Sequence, residues 1–215
     1  MKVFIPIKEN SQRVPRKNFR LLNGIPLYKN ILKKLKGFQI FVDTDSNKIK
    51  EGIEKDPELK NVSVFKRSKE LVGDDVSVCD LIENFINLYD LKNEYICQAH
   101  VTSPFITNQL LQEAFKKTKE GYDSIVSCNE IHSRFWRKEP YGYVPINHNP
   151  MKLEQTQDLP TYYEENSTFY IFDVDMFRKT KTRIGFNPYF YPIYFPSNLD
   201  VDTKNDWELV CKVAK

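Results

Sequence analysis

Long apolar runs, paired cysteines and a strong charge imbalance are all missing from this 215-residue sequence. No apolar stretch reaches the length of a bilayer-crossing helix, so a membrane partner is not expected. The opening Met1-Lys2-Val3-Phe4-Ile5-Pro6-Ile7-Lys8 is apolar over too few residues for a signal-peptide core, and a cytoplasmic location is expected. Cys79, Cys97, Cys128 and Cys211 form no C-x-x-C pair, which argues against a zinc site and a disulfide framework and for buried, reduced thiols. A net charge of +3 is too small to imply a nucleic-acid partner. Internal repeats, low-complexity tracts and linkers are lacking too, so one domain over residues 1–215 is expected. Neither G-x-G-x-x-G nor G-x-x-x-x-G-K-[ST] occurs, which removes the dinucleotide fingerprint and the P-loop.

What is present reads as a globular chain, 40% hydrophobic and 28% charged. Short apolar runs at residues 3–7, 38–42, 62–65, 95–98 and 122–128 predict strands. Between them lie helical patterns. Leu27, Ile31, Leu32 and Leu35 follow Pro26. Ile49 and Ile53 follow Asp45 or Ser46 as a cap. Val78, Leu81, Ile82, Phe85 and Ile86 mark the clearest helix, over residues 76–88, with Asp74 as its expected cap. Residues 108–119 also read as helical. This alternation indicates βαβ units and an α/β fold with a mainly parallel sheet. Residues 131–151, rich in proline and aromatics, lack helical period and read as an inserted hairpin or dimerisation arm. A strand returns at residues 168–172, and a last helix begins after Thr203, where Thr203-x-x-Asp206 resembles a capping box.

Three polar groups stand out. Residues 8–18 follow the first buried strand, where open α/β sheets bind ligands, and carry Lys8, Arg13, Arg16 and Lys17. Such cations suit a polyphosphate, while Asn10 and Ser11 suit a tight turn, Asn tolerating left-handed geometry; a solvated basic loop is the plain alternative. Asp200 and Asp202 flank one residue on an extended segment, so both carboxylates face one side and suit Mg²⁺. The competing role for Asp202 is capping the last helix. Asp43-x-Asp45 is a rival pair of the kind used by metal-dependent glycosyltransferases, or simply a helix cap. His100, at a strand's carboxyl end, suits an acceptor contact, a base or a structural role. Residues 162–166 suit a pocket wall or the core.

In sequence order, Ile5-Pro6-Ile7-Lys8-x-Asn10-Ser11-x-x-x-Pro15-x-Lys17-Asn18, Arg67-Ser68-x-Glu70-Leu71-x-x-Asp74, Thr102-Ser103-Pro104-Phe105 and Asp200-Val201-Asp202-Thr203 resemble four segments of the acylneuraminate cytidylyltransferase family, the CMP-sialic acid and CMP-sugar synthetases. The resemblance implies a Rossmann-like fold of the nucleotide-diphospho-sugar transferase type. It also implies CTP as donor, pyrophosphate as product, Mg²⁺ as cofactor and a homodimer, in surface polysaccharide precursor synthesis. It places Lys8, Asn10, Ser11, Gln12, Asn18, Asp45 and Arg67 on the nucleotide. Lys17, Arg13, Asp200 and Asp202 fall at the catalytic centre, the two aspartates on the metal. His100, Thr102, Ser103, Glu165 and Asn166 fall near a small anionic acceptor. There are departures: Lys8 replaces an arginine, Asn10 a glycine, Gln12 a lysine and His100 a glutamine. Glu165-Asn166-Ser167-Thr168 replaces E-N-G-A. These leave the acceptor open between a sugar acid and a phosphorylated or phosphonate metabolite. A glycosyltransferase and a catalytically silent nucleotide-binding protein are the readings from other classes.

Overall fold

The computed structural model describes residues 1–73 and 75–215. In chain order the strands are β1 (Lys2–Ile7), β2 (Leu21–Leu22), β3 (Ile25–Pro26), β4 (Gln39–Thr44), β5 (Val62–Lys66), β6 (Tyr95–Ala99), β7 (Ser124–Ile131), β8 (Trp136–Glu139), β9 (Gly142–Pro145), β10 (Tyr162–Asp173) and β11 (Pro188–Pro192). The helices are α1 (Leu27–Lys34), α2 (Asn47–Glu54), α3 (Val78–Leu88), α4 (Asn108–Lys116), α5 (Val174–Thr180) and α6 (Lys204–Val213). Seven strands form one sheet in the order β11-β7-β10-β6-β1-β4-β5. Only β10 runs against its neighbours, pairing antiparallel with β6 and β7; the other six point one way.

β1 shows why the centre is apolar without alternation. Val3, Ile5 and Ile7 join the core under α1, α2 and α4, while Phe4 faces the opposite core with α3 and α5. Both faces are covered, so both parities are apolar. Phe4 stacks on Phe85 of α3 at 4.7 Å between ring centroids. A third, smaller cluster joins Leu22 and Leu27 to Val201 and Val210 of the last helix region. It ties the chain's end to the loop after β1.

The expected α/β sheet and its helices stand close to where the periodicity puts them, with differences of detail: Pro26 ends the short strand β3 and precedes α1, and α3 begins at Val78 rather than at residue 76. The strand at residues 168–172 belongs to a twelve-residue β10, whose first half is exposed and polar and so lacks an apolar signal. α5, β11 and the β2–β3 pair were not expected; all are short. Ser46 caps α2, accepting from the Ile49 amide, so Asp45 does not. Ser77 and Asp80 form a capping box on α3; the Asp74 expectation lies outside the described residues. Cys97 and Cys128 are buried, while Cys79 and Cys211 are half-buried. Within residues 131–151, β8 and β9 pair as an antiparallel ribbon. No described helix is long and apolar enough to cross a membrane.

Candidate active site

The sheet order changes direction between β1 and β6: β4 and β5 lie on one side of β1, and β6, which follows them in sequence, on the other. The carboxyl ends of β1 and β6 therefore diverge into a crevice. A cavity of about 590 Å³ occupies it. Lys8, Asn10, Ser11, Gln12, Arg13, Lys17 and Asn18 line it from the loop after β1, and His100, Thr102, Asp200 and Asp202 from the other side.

The loop is fixed by its own backbone. The Lys17 amide donates to Val14 O at 3.1 Å and the Phe19 amide to Arg16 O at 2.9 Å. The left-handed residue here is Arg16, at φ 54°, while Asn10 is not among the positive-φ residues described. The tight turn thus falls later than Asn10-Ser11. Asn18 Nδ2 donates to Lys8 O at 2.7 Å, closing the loop on itself. Lys8 Nζ donates to Gly73 O at 2.9 Å.

Asp200 and Asp202 face the cavity because Val201 between them does not. Val201 is fully buried in the third core cluster, so its extended neighbours turn the other way. Its backbone is held twice: Val201 N donates to Thr102 O at 3.0 Å, and Lys17 Nζ donates to Val201 O at 2.5 Å. Lys17 Nζ also lies 3.5 Å from Asp202 Oδ1, and Arg13 Nη2 donates to the same oxygen at 2.9 Å. The cap of α6 is Thr203, in a capping box with Asp206, so Asp202 is spared that task. Asp200 Oδ1 accepts from Ser103 Oγ at 3.1 Å. Burial raises the Asp200 carboxyl above the ordinary aspartate range; Thr102 and Ser103 hydrogen bonds and Lys17 oppose this, and the Asp202 charge adds to it.

His100 sits on this wall with its pKa pushed down to about 4, chiefly by burial and then by the Arg183 charge. It is neutral at pH 7 and a weak base.

A profile of the family described as cytidylyltransferase matches residues 3–211. The chain belongs to the cytidylyltransferase family. The resemblance to its acylneuraminate members extends to individual relatives. The chain is 28% identical over 202 residues to N-acylneuraminate cytidylyltransferase A of Danio rerio, covering 92% of this chain and 46% of that protein. It is 30% identical over 229 residues to CMP-N,N'-diacetyllegionaminic acid synthase of Legionella pneumophila, covering 98% and 94%. It thus spans about half the length of the animal relative. Among solved structures, CMP:2-keto-3-deoxy-manno-octonic acid synthetase complexed with CTP aligns with a TM-score of 0.66 at 12% identity, over 98% of this chain and 96% of that one. At that identity the likeness speaks for the fold.

Not every cytidylyltransferase motif residue reaches the cavity. Arg67 is buried and bonded through Nε to Asp43 Oδ1 at 2.8 Å, both side chains being all but inaccessible. Asp43 is therefore a counter-ion, and the Asp43-x-Asp45 metal pair does not form. Asp45 Oδ1 instead accepts from the Glu9 amide at 2.7 Å, bracing the loop after β1. Ser103 stands behind Asp200. Glu165 and Asn166 lie on β10 outside the cavity wall; Glu165 accepts from Tyr170 Oη at 2.9 Å and Asn166 donates to Asn129 at 3.1 Å.

Two polar wall residues escaped sequence reasoning. Ser167, in the segment that resembles E-N-G-A, takes a left-handed φ of 57°, within an irregularity of β10 between Glu165 and Tyr170. The bulge pushes it into the cavity; the E-N-G-A mismatch was the available signal. Gln98, at the end of β6, also lines the cavity. As one polar residue in an apolar strand, it gave only a faint cue.

Proposed function

We propose that the chain transfers CMP from CTP to an acidic sugar acid and releases pyrophosphate. One observation carries the reading: Lys17 and Arg13 from the first loop meet Asp202, beside Asp200, in one crevice at the strand ends. An acceptor oxygen attacks the α-phosphorus in line and loses its proton. The new P–O bond forms as the bond to the β-phosphate oxygen breaks, and pyrophosphate leaves with that electron pair. Positioning and electrostatics dominate such a step. Lys17, with a side chain only 10% exposed, is a fixed cation. Arg13 is 68% exposed and its ion pair is a surface one, of little strength, so it is free to turn toward phosphate. Neutral His100 suits an acceptor contact better than a base.

The donor set fits Mg²⁺. Asp200 and Asp202 offer hard oxygens on one wall, and Mg²⁺ is held by one or two carboxylates together with substrate phosphates. Bound there, the ion would offset developing charge on the phosphates. Asp200, answered locally by hydroxyls and crowded by Asp202, would gain most from a cation.

A homodimer also belongs to this reading. Trp136, Tyr141, Tyr143 and Ile146 on and beside the β8–β9 ribbon are exposed, as aromatic interface residues would be in an isolated chain. Light scattering of the chain and of a Tyr141→Glu, Tyr143→Glu variant tests it. CTP consumption and four unpaired cysteines suit the cytoplasm.

The deciding experiment is pyrophosphate release with CTP, Mg²⁺ and a panel containing N-acetylneuraminate, 3-deoxy-manno-octulosonate and phosphonate acids. Release with a sugar acid is expected. Thermal stabilisation by nucleotide sugars but not by CTP would overturn the proposal in favour of a glycosyltransferase. CTP binding without release for any acceptor would leave only a nucleotide-binding protein.

A further inference from the structure

Gln98 is a fully buried amide on the cavity wall. Its Oε1 accepts from Arg183 Nη1 at 2.6 Å. A guanidinium has donors only, so this bond fixes which end of the amide faces it. Nε2, with its two hydrogens, is turned the other way and has no partner among the described residues. A buried donor left unmade is costly, which marks it as a group awaiting a ligand. Arg183 is itself locked, its Cζ lying 3.7 Å from the centre of the Tyr170 ring. Tyr170 in turn reaches Glu165 and, at 3.3 Å, the cavity-lining Ser167. The guanidinium charge also helps depress the His100 pKa, after burial, so its positive field reaches the wall.

The position of Gln98 selects the ligand. Lys8 and Asp45 follow the carboxyl ends of β1 and β4, and Lys8 reaches Gly73 beyond β5; this is the flank that the family resemblance gives to the nucleotide. Gln98, His100 and Ser167 lie over β6 and the β10 bulge, across the crevice. We infer that Gln98, oriented by Arg183, donates its amide hydrogens to the carboxylate of the acceptor, making Gln98 a specificity-determining residue and Arg183 its positioning residue. A nitrogen that can only donate, backed by a fixed positive charge, suits an anionic oxygen better than a neutral hydroxyl. The inference rests on the cytidylyltransferase reading.

The test compares the wild type with Gln98→Leu, Gln98→Glu and Arg183→Leu, using CTP with N-acetylneuraminate or 3-deoxy-manno-octulosonate and the methyl ester of each. Gln98→Leu should raise the acceptor KM by about 10- to 100-fold, the loss of a hydrogen bond to a charged group, with the KM for CTP within about twofold. It should also shrink the preference for acid over ester, which a merely structural role would not change. Gln98→Glu keeps a partner for Arg183 and hence the fold, and should weaken the acid further. Arg183→Leu should reproduce the Gln98→Leu effect, and the Gln98→Leu, Arg183→Leu double variant should show no more than either alone. An unchanged acceptor KM in Gln98→Glu, or an undiminished acid preference in Gln98→Leu, would overturn the inference. Turnover of neither acid by the wild type would instead bring down the sugar-acid reading, and the inference with it.

Discussion

Lys17 Nζ lies 3.5 Å from Asp202 Oδ1 across 185 residues of sequence. The contact joins the loop after β1 to the segment before α6, and the buried Val201 links them a second time through its carbonyl. A cation anchored on the carboxylate wall cannot drift when a polyphosphate enters, so its charge costs little reorganisation at the reacting phosphorus.

Lys17→Ala should therefore slow pyrophosphate release by roughly 10²-fold or more, measured at saturating CTP. Near-normal turnover would take the first loop out of the chemistry.

Asp202 and Thr203 separate catalysis from capping. Asp202→Asn should abolish Mg²⁺-dependent turnover and leave the denaturation midpoint nearly unchanged. Thr203→Ala should do the reverse, costing about 1 kcal/mol of stability with activity retained. Titrating Mg²⁺ against activity, beside urea denaturation of both variants, gives the answer. Asp200 adds a pH dependence. Its carboxyl is raised above the usual range, so the Mg²⁺ requirement should climb at higher pH, on acidification, than an ordinary aspartate would produce.

Arg67 should act on stability before activity. Arg67→Leu strands Asp43 as a buried, uncompensated carboxylate, at a cost of about 3–5 kcal/mol. Adding Asp43→Leu should restore much of it. A double variant as unstable as the single one would contradict the ion pair's structural role.

His100 ties stability to pH with a definite sign. Its folded pKa is about 4 against 6.5 for an unburied imidazole. Between those values the unfolded chain binds more protons, so stability rises with pH across the window and levels off above it. In His100→Gln that contribution to the slope should vanish. The same variant should shift acceptor preference more than CTP affinity; a larger change for CTP would move His100 to the nucleotide side.

The central strands, α1 to α4 and the last helix could be read from sequence because both faces of the sheet are buried and each helix has one apolar side. β11 and α5 are too short to carry a period, and the first half of β10 is too polar to signal a strand. Within the site, charge and motif order marked Lys17, Arg13, Asp200 and Asp202. They could not show that Arg67 is spent on Asp43, or that Gln98 faces the cavity, since a side chain's partner is set by strands distant in sequence.

Sequence alone determined the α/β alternation, the family and the residues able to handle a polyphosphate, because period and residue chemistry are local properties. Tertiary structure alone decided which of those residues share a crevice. Burying Val201 against Leu22, Leu27 and Val210 turns Asp200 and Asp202 outward toward Lys17, and the bulge in β10 brings Ser167 to the wall. Both follow from the packing of segments far apart in the chain, which no local pattern encodes.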